Sequence, residues 1–115
     1  MKLTEVFLEI HSGNHREGPG DNESTKRALS LIGKLPHEPI VLDIGCGPGM
    51  QTLILAKETN GRIIAIDTFE PYLKDLRNRS KKAGLDSRIT AQNMSMFDIN
   101  FIENAFDLIW SEGAI

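Results

Sequence analysis

"VLDIGCGPGM", residues 41–50, is the stretch that decides the fold of this 115-residue chain. An apolar run ends there in an acid, and glycine follows at every second position, as Gly45, Gly47 and Gly49. Glycine lets a backbone turn sharply and lie against another molecule, because it carries no Cβ. A short apolar run before such a turn predicts a strand buried on both faces, with a ligand-contacting loop at its end.

Strand-like and helix-like segments alternate on either side of this stretch. The predicted strands are residues 40–44, 62–67, 88–93 and 106–110. The predicted helices begin near Asp21 or Asn22, at Met50 and at Pro71, and the last closes at Gly84. Strands and helices that alternate at this spacing predict an open α/β architecture, a parallel sheet with flanking helices and right-handed crossovers.

The composition is that of a single soluble domain. Hydrophobic residues make up 40% of the chain and charged residues 25%, which are ordinary values for a globular protein. We expect residues 1–115 to form one domain, with residues 1–22 as an N-terminal extension and loop leading into it. The first ten residues carry charges among the apolar positions, so they do not read as a secretory signal, and no apolar run is long enough to span a bilayer.

Charge and cysteine content limit the partners and the compartment. A net charge of −3 argues against a nucleic-acid partner, which would usually require a basic face. The basic residues between positions 74 and 82 are expected to form the solvated end of a helix. A single cysteine, Cys46, excludes an intrachain disulfide and favours a reducing compartment, so we expect a cytoplasmic protein.

An acid at the end of the second predicted strand makes the glycine loop more informative. The loop amides and the N-terminus of the next helix offer donors and partial positive charge to a polar or anionic group. Asp67 ends the following strand, where a carboxylate accepts hydrogen bonds from the two hydroxyls of a ribose. Together these features predict a ribonucleoside cofactor.

The spacing of the glycines narrows the choice of cofactor. The loop reads G-x-G-x-G, whereas a dinucleotide fingerprint reads G-x-G-x-x-G, and Met50 and Gln51 stand where a dinucleotide protein keeps small residues. A phosphate-binding P-loop is excluded because no Gly-Lys-Ser/Thr follows. The remaining alternative to a cofactor loop is a tight turn with no ligand.

Three segments in order, "VLDIGCGPGMQT", "IIAIDTFEPYL" and "FDLIWSEGAI", resemble the class I S-adenosylmethionine-dependent methyltransferases. "REGPGDNEST", ahead of the first helix, is similar to a stretch in a subgroup that methylates small molecules. The resemblance implies a Rossmann-like sheet with the first and fourth predicted strands at its centre. It also implies that the chain is truncated after the fourth strand, because members of the family continue with further strands and helices.

The resemblance further implies S-adenosylmethionine as the cofactor and a set of binding residues. Asp43 and the glycine loop would face the methionine part, Asp67 would hold the ribose, and Thr68 and Phe69 would border the adenine. The complete predicted set is Asp43, Gly45, Cys46, Gly47, Gly49, Asp67, Thr68, Phe69, Ser95, Met96 and Ser111.

One position departs from the family pattern. The family usually has an acid after the third strand that binds the adenine amino group, whereas Ser95 stands at that position here and Asp98 comes three residues later. Adenine recognition is therefore expected to rest on backbone groups of Ser95 and Met96.

Several residues have two readings. Asp43 either contacts the ligand or caps backbone amides of the glycine turn. Cys46 is expected to pack or to contact the cofactor, because no histidine base stands near it. His11 and His15 are spaced as metal ligands on a helix would be, but Gly13 favours a loop, so no metal is predicted.

Two residues of the fourth strand region complete the candidates. Glu112 is a candidate general base or acceptor-orienting group, whereas Trp110 is expected to belong to the core. Catalytic residues are otherwise not assigned.

The favoured function is methyl transfer from S-adenosylmethionine to a small-molecule acceptor. The alternatives are a nicotinamide-dependent oxidoreductase, which the glycine spacing disfavours, and a noncatalytic nucleoside-binding module. If the chain ends its sheet at residues 106–110, the outer edge of that strand lacks a partner, and self-association through this edge is expected.

Overall fold

The computed structural model describes residues 6–10, 19–98 and 105–112. The strands within these residues are β1 (Val6–Ile10), β2 (Ile40–Ile44), β3 (Arg62–Asp67), β4 (Ile89–Asn93) and β5 (Leu108–Glu112). The helices are α1 (Pro19–Ser30), α2 (Met50–Thr59) and α3 (Glu70–Lys82), and a short 3-10 turn spans Met96–Asp98.

The strands form one parallel sheet in the order β1-β5-β2-β3-β4. β2 lies at its centre, with Val41 paired to Ile63 of β3 on one side and to Leu108 of β5 on the other. The chain leaves β2 toward β3 and returns later to β5, so the strand order reverses at β2. In open α/β sheets, the carboxyl ends of the strands at such a reversal form a ligand-binding crevice.

The core between the sheet and the helices accounts for the apolar runs of β2 and β5. Val41, Leu108 and Trp110 are fully buried on the face where Leu55 of α2 and Leu76 of α3 also lie buried. Trp110 is thus a core residue, as the sequence predicted. A smaller cluster on the other face contains Leu42, Ile44, Ile66 and Phe106. Because both faces of β2 are covered, this strand reads as a continuous apolar run.

Asp107 fixes how β2 and β5 begin together. The backbone N–H of Ile40 donates to Asp107 Oδ2 at 2.8 Å, and the N–H of Asp107 donates to the Ile40 carbonyl at 2.8 Å. This reciprocal pair precedes the ladder, and the strand predicted at 106–110 accordingly begins two residues later, at Leu108.

The other boundaries follow the predictions closely. α1 begins at Pro19, ahead of the expected Asp21 or Asn22, and α3 begins one residue before Pro71. The predicted Rossmann-like parallel sheet with flanking helices is confirmed, as is the central pairing of the first and fourth predicted strands.

The N-terminal region and the sheet edge require a correction. Residues 1–22 were predicted as an extension and loop, but Val6–Ile10 is a strand that pairs in parallel with β5 from Leu108 to Glu112. Its sequence, VFLEI, is rich in β-branched and aromatic residues that favour strands. The outer edge of β5 is therefore paired, and the prediction of self-association through that edge is wrong in its premise.

Among the described residues, no helix combines the length and the apolar character needed to cross a membrane.

Candidate functional site

The glycine loop leaves the central strand at the reversal of strand order. Gly45, Gly47 and Gly49 all have positive φ, of 67°, 58° and 98°. The N–H of Cys46 donates to the Ile66 carbonyl of β3 at 3.0 Å, and the N–H of Gly49 donates to the Cys46 carbonyl at 3.2 Å. The loop is thus tied both to the neighbouring strand and to itself before α2 begins.

Gly47 and Gly49 have different surroundings. A Cβ on Gly49 would overlap Leu76 Cδ1 and would lie 3.1 Å from Leu76 Cγ, so any larger residue would have to displace this fully buried side chain. A Cβ on Gly47 would meet no atom of the described residues within 4 Å. Gly49 therefore packs on the core, whereas Gly47 has space beside it among the described residues that a ligand can occupy.

Asp67, at the end of β3, is in direct contact with the loop. The N–H of Gly47 donates to Asp67 Oδ2 at 2.9 Å, and the N–H of Phe69 donates to Oδ1 at 3.0 Å. The sequence predicted that the loop and this acid cooperate, and the structure brings them together. Each carboxylate oxygen has a further lone pair, so the group retains acceptor capacity for a ligand.

Asp43, at the other side of the loop, is fully buried. Thr52 Oγ1 donates to Asp43 Oδ2 at 2.6 Å, and Gln51 Nε2 lies 3.5 Å from both carboxylate oxygens. Gln51 Nε2 also donates to the Cys46 carbonyl at 2.9 Å. Asp43 thus binds side chains in the first turn of α2.

Sequence reasoning gave no role in the site to Gln51 and Thr52. They are buried on the first turn of α2, and a helix at this position is predicted from sequence. What pattern analysis lacks is the distance between the helix and the strand that precedes it, so it could not place their side chains against Asp43.

The thiol of Cys46 is buried between the two acids. Burial raises the pKa of this thiol strongly, and the negative charges of Asp43 and Asp67 raise it further. A thiol held in its neutral form is a poor nucleophile. This agrees with the expectation that Cys46 packs or contacts a ligand and does not serve as a nucleophile.

An exposed aromatic pair follows Asp67. Thr68 is exposed, and the Phe69 side chain is 51% exposed and packs edge-to-face on Tyr72 with ring centroids 4.7 Å apart.

Glu70 accepts hydrogen bonds from Arg77 at 2.8 Å and from Asn93 at 3.1 Å, and these bonds hold the pKa of Glu70 below its usual range. The start of α3 is thereby fixed to the end of β4.

The residues that were expected to recognise the adenine, Ser95 and Met96, lie in the segment after β4. Ser95 and Met96 are half-buried, and Ser95 Oγ accepts a hydrogen bond from the Phe97 N–H at 3.1 Å. The Ser95 hydroxyl therefore caps the 3-10 turn.

Ser111, near the end of β5, is fully buried, and its hydroxyl has no hydrogen-bond partner in the described part of the chain. It is paired in register with Ile44, the residue before the glycine loop. The side chain of Glu112 lies outside the described residues, as do His11 and His15. No group of three or more potential metal ligands is found among the described residues.

Comparisons with known proteins identify the family of this chain. A family model described as a methyltransferase domain matches residues 41–115. A sarcosine/dimethylglycine N-methyltransferase of Halorhodospira halochloris is 28% identical over 90% of this chain and 39% of its own length. A ribosomal protein L11 methyltransferase of Ruminiclostridium cellulolyticum is 30% identical over 91% of this chain and 33% of its own length.

A solved structure gives the same result. A putative S-adenosyl-L-methionine-dependent methyltransferase from Methanococcus maripaludis superimposes with a TM-score of 0.73 at 26% identity, covering 81% of this chain and 42% of that one. The chain therefore spans about a third to two fifths of the length of the curated relatives described above.

The contrast between Gly49 and Gly47 yields a stability prediction. Gly49→Ala combines left-handed strain with overlap on buried Leu76 and should lower the free energy of unfolding by about 2 to 4 kcal/mol. Gly47→Ala, the matched control, adds strain alone and should cost about 1 to 2 kcal/mol. Chemical denaturation of both variants measures the two losses of unfolding free energy. Equal losses of stability would contradict the assignment of Gly49 to packing.

The environment of Cys46 predicts low thiol reactivity. Alkylation requires the thiolate, so iodoacetamide should modify the native protein at pH 8 at least about 100-fold more slowly than the denatured chain. Raising the pH through the ordinary titration range of a thiol should accelerate alkylation of the denatured chain first, because the pKa of Cys46 is raised in the native protein. Mass spectrometry of timed samples gives both rates. Native and denatured rates within a factor of about three would show that the loop does not bury this thiol.

Proposed function

Because this chain belongs to the methyltransferase-domain family, we propose that its glycine loop and Asp67 bind S-adenosylmethionine and that the whole protein methylates a small molecule. The chain covers less than half of the curated relatives above, so the activity is proposed and not taken over from them.

The observation that carries this proposal is the hydrogen bond between Asp67 and the glycine loop, at a point where the loop leaves room for a ligand. Asp67 is fixed by the N–H groups of Gly47 and Phe69, and its remaining lone pairs are available to two ribose hydroxyls. A Cβ at Gly47 would meet no atom of the described residues within 4 Å, which supports a ligand beside Gly47 and Asp67. The residues present therefore fit a ribonucleoside.

The methionine part would lie against the loop from Gly45 to Gly49, with Cys46 beneath it. The N-terminus of α2 directs its partial positive charge to this region, where it suits a carboxylate. When bound, S-adenosylmethionine supplies a sulfonium leaving group, so methyl transfer needs mainly alignment of the acceptor. The role of this region is to hold the cofactor in one orientation.

The adenine would lie beside Phe69, whose exposed ring is braced by Tyr72. Thr68 would border the same base. Because the Ser95 hydroxyl already caps its own turn, we expect the base to be recognised by backbone groups of Ser95 and Met96.

Ser111 is the proposed contact near the reacting end of the cofactor. Its buried hydroxyl finds no partner among the described residues, which costs free energy, and a ligand at the end of β5 would offset that cost. Asp43 supports the loop from below, and its proposed contribution to cofactor binding is indirect.

A small-molecule acceptor is supported by the sarcosine/dimethylglycine relative. A cytoplasmic location is proposed from the single, unpaired cysteine, and no nucleic-acid partner is proposed because the net charge is −3. The family match favours methyl transfer over the nicotinamide-dependent oxidoreductase and the noncatalytic module.

Calorimetric titration tests the cofactor directly. The chain should bind S-adenosylhomocysteine with micromolar affinity, while NADH, the control, should produce no saturable heat. Saturable binding of NADH alone would replace the methyltransferase proposal with the oxidoreductase.

The acceptor is tested by incubating the whole protein with methyl-labelled S-adenosylmethionine and a cell extract, then separating small molecules from proteins. Label confined to protein would overturn the small-molecule acceptor.

Asp67 provides the sharpest test of the binding site. Hydrogen bonds to a carboxylate contribute about 1.5 to 3 kcal/mol each, so Asp67→Ala should weaken S-adenosylhomocysteine binding ten-fold or more. Asp67→Asn, the control, keeps one acceptor oxygen and should lose less. Calorimetry on both variants measures the difference, and a change below about three-fold for alanine would refute the ribose assignment.

A further inference from the structure

We propose that Gln51 is a positioning residue that sets the orientation of Asp67 through a single peptide group of the glycine loop. This inference rests on the proposed cofactor site and names a residue that acts on the ribose-binding carboxylate without touching the ligand.

Gln51 is a long polar side chain that is only 3% exposed. Burial of an amide is costly unless it is hydrogen-bonded. Its Nε2 donates to the Cys46 carbonyl at 2.9 Å and lies 3.5 Å from each Asp43 oxygen. Three acceptors surround this atom, so the nitrogen, and not the amide oxygen, must point toward them.

Asp43 keeps Gln51 in this position. Its carboxylate is fully buried and is also bound by Thr52 Oγ1 at 2.6 Å. One buried charge therefore orients two consecutive side chains of α2, and Gln51 extends that constraint to the loop.

The Cys46 carbonyl and the Gly47 N–H belong to the same peptide group. The described residues contain no cis peptide, and in a planar trans peptide the C=O and N–H point in opposite directions. When Gln51 holds the carbonyl toward α2, the N–H is directed away from it, toward Asp67 Oδ2 at 2.9 Å. The chain of contacts runs from Gln51 through one peptide plane to Asp67.

The peptide between Cys46 and Gly47 needs hydrogen bonds to hold its orientation because its second residue is glycine. Rotating the peptide plane changes ψ of Cys46 and φ of Gly47, and glycine adopts positive and negative φ with similar ease. Gly47 has φ of 58°, and a Cβ there would meet no atom of the described residues within 4 Å, so side-chain contacts at this position do not resist the rotation. The hydrogen bond from Gln51, at 2.9 Å, opposes that rotation, together with the longer bond from the Gly49 N–H at 3.2 Å to the same carbonyl.

A double-mutant cycle tests the relay on the full chain, with S-adenosylhomocysteine as the calorimetric probe. Gln51→Met keeps the length and the helix propensity but removes the donor. It should weaken binding about ten-fold when Asp67 is present and less than about three-fold in an Asp67→Ala background, because the relay then has no target. A merely structural role would give the same factor in both backgrounds.

Thr59→Val is the matched control at the other end of α2. Thr59 Oγ1 donates to the Leu55 carbonyl at 2.6 Å and accepts from the Gly61 N–H at 3.0 Å, so this change also removes a side-chain link to the backbone. It should alter thermal stability and leave the affinity unchanged. Equal weakening by Thr59→Val and Gln51→Met would overturn the relay.

The outcomes separate the two proposals. If the unmodified chain does not bind S-adenosylhomocysteine, the proposed function fails. If it binds and Gln51→Met has the same effect in both backgrounds, or no effect, only the relay fails. Should Gln51→Met not fold, Gln51→Asn keeps a polar amide but is one methylene too short to reach the Cys46 carbonyl. It should reproduce the background-dependent loss, and the absence of that pattern would overturn the relay.

Discussion

The carboxyl end of β2 imposes the constraint on which the rest of the site depends. The chain must leave a strand paired on both sides, reverse, and begin a helix within the five residues from Gly45 to Gly49. Its backbone N–H and C=O groups still need partners, because unpaired buried groups are costly. Positive φ at three glycines makes the reversal sterically allowed, and hydrogen bonds to β3 and within the loop hold it.

The same reversal explains why two acids lie so close to one thiol. Asp43 ends the apolar run of β2 and is buried, whereas Asp67 ends β3 and is half-buried at the loop. Both carboxylates accept hydrogen bonds, from side chains of α2 in one case and from backbone N–H groups in the other. Between them, Cys46 is held neutral, since a thiolate there would face two negative charges without water.

Rigidity in this candidate site comes from groups on the core side of the glycine loop. Gly49 packs on Leu76, and Asp43 binds Thr52, so the loop is supported from the core side. On the opposite side, a Cβ at Gly47 would meet none of the described residues, and Asp67 has further lone pairs. A site prepared in this way loses little conformational entropy when a ligand binds, which favours affinity and a single orientation of the ligand.

The sequence by itself determined the order of strands and helices from β2 onward, the glycine loop and its pairing with Asp67, because each depends on local periodicity or on the fixed relation between neighbouring parallel strands. The sequence did not predict the strand Val6–Ile10. A short apolar segment pairs only if a vacant sheet edge is available, and that edge belongs to residues about a hundred positions away. The tertiary structure alone decided that Asp43 faces Thr52 and Gln51, and that the Cys46 peptide links Gln51 to Asp67. Those contacts depend on distances of a few ångströms between elements, which residue patterns do not contain.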